Sequence, residues 1–128
     1  MPRFFVYGTL TDRSQVETLL DRYELGPEAT LRGLHRIDGR YPTLAPGGEV
    51  SGRLLKTPEI DRLDAYEGVE SGLYVRLSVP VTDGGSAEFY VGDPERLEAD
   101  AEWPGTGPLK ERVRSYLTSH EVEIEPAE

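Results

Sequence analysis

The residues best placed to do chemistry stand at the end of a short predicted helix. In Pro58–Tyr66 the apolar positions are Ile60 and Leu63. At ~100° per residue, Glu67 projects within about 20° of Ile60, and Asp64 within about 40°. The core-facing stripe of this helix therefore ends in carboxylates. A carboxylate drawn away from water has its charged form disfavoured, and its pKa rises toward the range useful for proton transfer. The same spacing fits a helix that ends one residue early and leaves Glu67 in solvent. A glutamate at a helix C-terminus gains nothing from the macrodipole, so its presence there asks for another reason.

Two further segments could serve such a carboxyl. Tyr7-Gly8-Thr9-Leu10 follows the apolar run Arg3–Tyr7. A glycine leaving a buried strand lets ligand atoms approach the backbone, and successive N–H groups there can hold an anion; an ordinary strand-to-helix turn has the same composition. In Gly72-Leu73-Tyr74-Val75-Arg76, a strand would put Tyr74 and Arg76 on one face. Tyr74 could lend a hydroxyl to a pocket, and Arg76 could pair with a carboxylate of the protein or of a ligand. A solvated sheet face is the plainer alternative. Tyr41-Pro42-Thr43-Leu44 reads as a proline-stiffened turn, with a pocket rim as the alternative. His35 reads as a strand residue, His120 as a solvated helix end and Trp103 as loop packing; none is assigned a role.

The elements that must position these groups follow from periodicity and punctuation. Arg3–Tyr7 reads as a buried strand. Ser14–Glu17 fits a capping box, with Asp12 as a competing cap, and Val16, Leu19, Leu20 and Tyr23 mark one helix face ending at Gly26-Pro27. Ala29–Ile37 and Val50–Leu55 read as strands separated by the turn-rich Asp38–Gly48. Thr57-Pro58 starts the helix that ends near Gly68. Leu73–Val81 alternates as a strand, and Asp83-Gly84-Gly85 turns it into a second strand, Ala87–Val91. Gly92–Gly107 reads as irregular. A last helix from Pro108 carries Leu109, Val113, Tyr116 and Leu117, and Glu121–Glu128 reads as a frayed acidic tail. The expected class is α+β, with a small, mixed and mainly antiparallel sheet closed as a barrel and flanked by a few helices.

Composition bounds the rest. A chain of 128 residues is read as a single domain, residues 1–120, followed by the tail 121–128. With no cysteine there are no disulfides, thiolate metal sites or thiol nucleophiles, and two scattered histidines do not suggest a metal cage. No metal and no cofactor are expected. A formal charge of −10 repels phosphate backbones, which argues against a nucleic-acid partner. No apolar run approaches the ~20 residues of a membrane span, and the N-terminus does not read as a signal peptide. The expectation is a cytoplasmic protein with no membrane partner. Of the 14 basic residues only Lys56 and Lys110 are lysines. An acidic, lysine-poor surface suits a salt-rich cytoplasm; equal stability in dilute buffer and in molar KCl would remove that hypothesis.

Taken together, the ordered series Phe5–Leu10 (FVYGTL), Tyr41-Pro42-Thr43-Leu44, Val50–Leu54 (VSGRL), Leu63–Gly68 (LDAYEG) and Leu73–Arg76 (LYVR) resembles the γ-glutamylcyclotransferase-like superfamily, which includes AIG2-like proteins. The resemblance implies a small mixed barrel whose cavity opens beside the YGTL-type loop. It implies substrate-binding roles for Tyr7, Gly8, Thr9 and Leu10, with their backbone N–H groups on the substrate carboxylate. It implies that Glu67 is the catalytic glutamate; Tyr74 is a further candidate neighbour of the substrate. The implied activity is cyclisation of a small γ-glutamyl amine, amino acid or peptide to 5-oxoproline with release of a free amine, without metal or cofactor. A barrel that binds a small metabolite without catalysis, or a structural partner in an assembly, is the alternative, because function belongs to the site and not to the scaffold.

Overall fold

The computed structural model describes residues 1–127. Its elements run β1 (Arg3–Val6), a single 3-10 turn (Thr9–Thr11), α1 (Arg13–Leu19), β2 (Glu24–Asp38), β3 (Pro42–Lys56), α2 (Ile60–Glu67), β4 (Tyr74–Pro80), β5 (Ser86–Gly92), α3 (Pro94–Leu97), α4 (Leu109–Ser119) and β6 (Glu123–Pro126). Among the described residues the six strands form one sheet in the order β4-β5-β1-β3-β2-β6. Pairing is antiparallel except between β1 and β5, where Phe4 lies opposite Glu88. The sheet curls until its outer strands meet at one end. There Val81 bridges Ile124, and the Thr82 N–H donates to the Ile124 carbonyl at 2.9 Å. The result is the expected α+β class, a mixed sheet rolled into a partly closed barrel.

The continuous apolar run of β1 is explained by burial on both faces. Phe5 points into the barrel with Leu31, Leu54, Leu77 and Phe89. Phe4 and Val6 point outward into a second core with Val16, Leu20, Leu63 and Tyr90, which α1 and α2 cover. Gly52 of β3 is the point of closest approach: a Cβ there would collide with the Val6 carbonyl oxygen. At the far end α4 lays Val113 against the barrel interior, and Trp103 meets the Tyr116 ring edge-on at 5.6 Å.

Several boundaries differ from the sequence expectation. Helix α1 ends at Leu19 instead of running to Gly26. The Glu59 carboxylate accepts the N–H groups of Asp21 and Arg22 at 2.9 and 2.7 Å and turns the chain into β2. Asp12, not Ser14, is the cap; its Oδ1 accepts the Ser14 N–H at 3.0 Å. Gly26-Pro27 lies inside β2 at a register shift, where Arg53 donates twice to the Gly26 carbonyl. The segment 38–48 is mostly strand, because only Gly39–Tyr41 is needed to join β2 to β3. Gly47 and Gly48, at φ 94° and 73°, absorb an irregularity within β3. The region 92–107 contains α3, capped by Asp93. The acidic tail is not frayed as far as Pro126: β6 pairs with β2, and Ile124 is fully buried.

Candidate active site

The turn after β1 is one wall of the site. Tyr7 donates its hydroxyl to the Tyr90 carbonyl at 2.6 Å, which fixes the strand exit. The Gly8 carbonyl then accepts from the Thr11 N–H at 3.1 Å and from the Thr11 hydroxyl at 2.8 Å. This closes the 3-10 turn. The first N–H groups of any helical turn have no carbonyl one turn back to accept them, so they are donors for a ligand. Here those donors lie at Gly8, Thr9 and Leu10, all of which line one cavity. Leu10 sends its side chain into the outer core.

Helix α2 is the opposite wall, and its position is heavily specified. Thr57 is fully buried; its hydroxyl donates to the Arg22 carbonyl at 2.6 Å and accepts the Glu59 N–H at 3.1 Å. Leu63 anchors the helix in the outer core. Asp64 accepts the Tyr90 hydroxyl at 2.7 Å and pairs with Arg76 at 3.1 Å, while Arg76 also donates to Glu88 at 2.6 Å. So Arg76 serves protein carboxylates; Tyr74 is buried and Arg76 partly so, while Ser78 and Pro80 further along the same face are exposed. Gly68, in the left-handed conformation at φ 69°, ends the helix and donates its N–H to the Ala65 carbonyl. The helix therefore runs through Glu67, not one residue short of it.

Glu67 is half-buried and borders a cavity of about 410 Å³ together with Tyr7, Gly8, Thr9 and Leu10. Burial pushes its carboxyl up to about 7. At neutral pH such a group is present in both protonation states, which is what a base that must later act as an acid needs. Burial also raises the phenols of Tyr7, Tyr74 and Tyr90, and the Glu67 charge adds to each shift. These rings stay neutral. Tyr74 lines the cavity, but its hydroxyl already donates to the Pro42 carbonyl at 2.6 Å, so it is a wall more than a free donor.

Tyr41, Tyr66 and Tyr90 also border the cavity. Tyr41 and Pro42 form a rim, although Pro42 is the first residue of a strand and not part of a turn. The roles of Tyr66 and Tyr90 had no signal in spacing, because each depends on a distant strand or helix that only the fold brings near. His35 donates from Nδ1 to the Gly47 carbonyl at 3.0 Å, and His120 stacks on Tyr116; both lie outside the cavity lining. Among the described residues, no cluster of three His, Asp or Glu side chains has an arrangement suited to a metal ion, and no helix is long and apolar enough to cross a membrane.

Comparison with known proteins shows the family and the fold. The sequence profile described as "Gamma-glutamyl cyclotransferase, AIG2-like" matches residues 4–105. AIG2-like protein A of Arabidopsis thaliana is 35% identical over 89 residues, covering 66% of this chain and 54% of that protein. The chain spans about half the length of the curated relatives it matches. Among solved structures, a gamma-glutamyl cyclotransferase superposes with a TM-score of 0.63 at 16% identity, covering 91% of this chain and 98% of the other; it shares the fold. A solution structure of an Arabidopsis thaliana protein is 29% identical with a TM-score of 0.59, covering 92% and 84%.

Proposed function

We propose, from the premise that the chain belongs to the AIG2-like gamma-glutamyl cyclotransferase family, that it cyclises a γ-glutamyl compound to 5-oxoproline and releases a free amine. The observation that carries this reading is the half-buried Glu67 carboxyl, raised to about 7, facing a cavity whose other wall is the Tyr7–Leu10 turn. Both reacting groups belong to the substrate. Its α-amine attacks its own γ-carbonyl, so the protein has to fold the molecule into attack geometry, and good orientation can supply ~7–11 kcal/mol.

Protons are the remaining obstacle. The α-nitrogen starts as an ammonium and must lose protons, while the leaving nitrogen must gain them. The Glu67 carboxylate takes a proton from the α-ammonium, and the freed lone pair forms the new carbon–nitrogen bond. Glu67, now a carboxylic acid, protonates the leaving nitrogen as the old bond breaks. Glu67 then takes the second proton from the lactam nitrogen and passes it to the departing amine, which leaves as an ammonium while Glu67 returns to the carboxylate. Such relayed acid–base help is worth a factor of ~10²–10⁴. The N–H donors of the Gly8–Leu10 turn are suited to the substrate's α-carboxylate or to the oxyanion that develops on the γ-carbonyl.

A panel of γ-glutamyl amides and peptides tests the reaction by measuring 5-oxoproline and free amine together. Equal amounts of both products, formed at a rate proportional to protein, are expected. Release of glutamate with the amine would mean hydrolysis and would overturn the proposal.

A further inference from the structure

Two tyrosines at the mouth of the same cavity have no part in the proton transfer. Among the described residues, the large apolar side chains left exposed are Met1, Tyr41 at 59% and Tyr66 at 47%. Both tyrosines border the cavity that holds Glu67. Each is anchored through its backbone neighbourhood or its hydroxyl. The Arg40 N–H, next to Tyr41, donates to the Leu97 carbonyl at 2.7 Å, so the β2–β3 hairpin tip is tied to α3. The Tyr66 hydroxyl lies 2.8 Å from Thr9 Oγ1. Exposed rings at the mouth of a concave site offer flat apolar surface to whatever projects from it.

Charge at the mouth points the same way. The described residues that border the cavity include Glu67 and no lysine or arginine. Arg36 reaches the strand exit, where it donates to the Tyr7 carbonyl at 3.2 Å and pairs with Asp38 at 3.2 Å, outside the cavity lining. A leaving group with its own carboxylate would bring a second anion toward Glu67, in a chain of net charge −10, with no lysine or arginine among the described residues that border the cavity. Resting on the cyclisation proposed above, we infer that the released amine carries an apolar or aromatic group and no carboxylate, and that this group lies between Tyr41 and Tyr66.

Three compounds separate the possibilities: γ-glutamyl phenethylamide, γ-glutamyl methylamide and γ-glutamyl phenylalanine. The first and third share a ring, and the third adds a carboxylate. Wild-type kcat/KM is expected to be about ten-fold higher for the phenethylamide than for either other compound, the size of a stacked ring contact. Tyr41→Ala should bring the phenethylamide-to-methylamide ratio to within about two-fold, whereas Tyr41→Phe and Tyr66→Phe, which keep the rings, should retain it. Calorimetric Kd values for the wild-type protein with the three matching glutaric monoamides, which lack the α-amine and cannot cyclise, give the same comparison without turnover and with the Glu67 charge in place. Absence of 5-oxoproline from all three compounds, with the phenethylamide still bound best, would sink the cyclisation and leave the mouth's preference standing. Equal Kd values, or tightest binding of the phenylalanine monoamide, would overturn the inference whatever the reaction.

Discussion

Thr9 Oγ1 and the Tyr66 hydroxyl lie 2.8 Å apart, which ties the turn after β1 to the residue immediately before Glu67. Both groups are exposed, so this hydrogen bond contributes at most ~1 kcal/mol to folding. Its larger effect is to hold the two walls of the cavity at one separation. Tyr66→Phe is expected to lower kcat/KM for 5-oxoproline release by about five- to ten-fold while unfolding free energy changes by less than ~1 kcal/mol. Thr9→Val should cost the same, and the double variant no more than either, because one bond is lost in each case. Additive losses in rate would show that the two residues act separately.

The raised carboxyl of Glu67 couples activity to stability. Its value is 4.5 as a free side chain and about 7 when folded. Between those values the folded state binds the proton more tightly, so stability from this group is present below about 4.5 and is lost as pH rises through about 7. Glu67→Gln, which cannot ionise, should therefore match wild type at pH 4.5 and exceed it above pH 7 by up to about 3 kcal/mol. Urea unfolding of both proteins across that pH range measures the difference. In the same window wild-type kcat/KM should rise with pH to a plateau, since the carboxylate is the form that takes the first proton.

Arg76 is the shared counter-ion of Asp64 and Glu88, at 3.1 and 2.6 Å, and all three side chains are only about one-quarter exposed. Removing the cation leaves two carboxylates facing each other under α2. Arg76→Met is expected to cost roughly 2–4 kcal/mol, and Arg76→Lys to recover only part of it, because one ammonium cannot reproduce the guanidinium's two-sided reach. Denaturant unfolding reads both. A loss below 0.5 kcal/mol for Arg76→Met would place the network among ordinary surface ion pairs.

β6 makes the C-terminal segment part of the fold. Ile124 is fully buried in the barrel core, and its carbonyl accepts the Thr82 N–H where the sheet's outer strands meet. Ile124→Ala is expected to destabilise by about 2–5 kcal/mol, as for other large-to-small core changes. Thermal melting of that variant near wild type would mean that the strand is dispensable.

The parts of this architecture that were legible in the sequence are those held by local chemistry. Asp83-Gly84-Gly85 marks the β4–β5 hairpin, the run Arg3–Val6 marks a strand covered on both sides, and Ile60, Leu63 and Glu67 fall on one stripe of α2. What was not legible depends on pairing across distance. Gly26-Pro27 looks like a chain break until Arg53 supplies two hydrogen bonds to the Gly26 carbonyl. Pro46-Gly47-Gly48 looks like a turn, yet a long β2 partner carries it through as strand. Val122 and Ile124 alternate as a strand should, but the surrounding glutamates outweigh them in any composition count. At the site, helix geometry allowed Glu67 an inward position without excluding a solvent one, whereas Tyr41 and Tyr90 come from segments far from Glu67 in sequence, and Tyr66, though adjacent to it, meets Thr9 only in the fold.

The central claim is that one carboxyl moves the protons of a cyclisation. Glu67→Gln keeps the shape and hydrogen-bonding reach of that side chain and removes its ability to accept a proton. Single-turnover formation of 5-oxoproline by this variant, with substrate Kd measured in parallel, is the most direct test. The account predicts a rate lower by about 10²–10⁴ with Kd within a few-fold of wild type. A wild-type rate in the variant would contradict it.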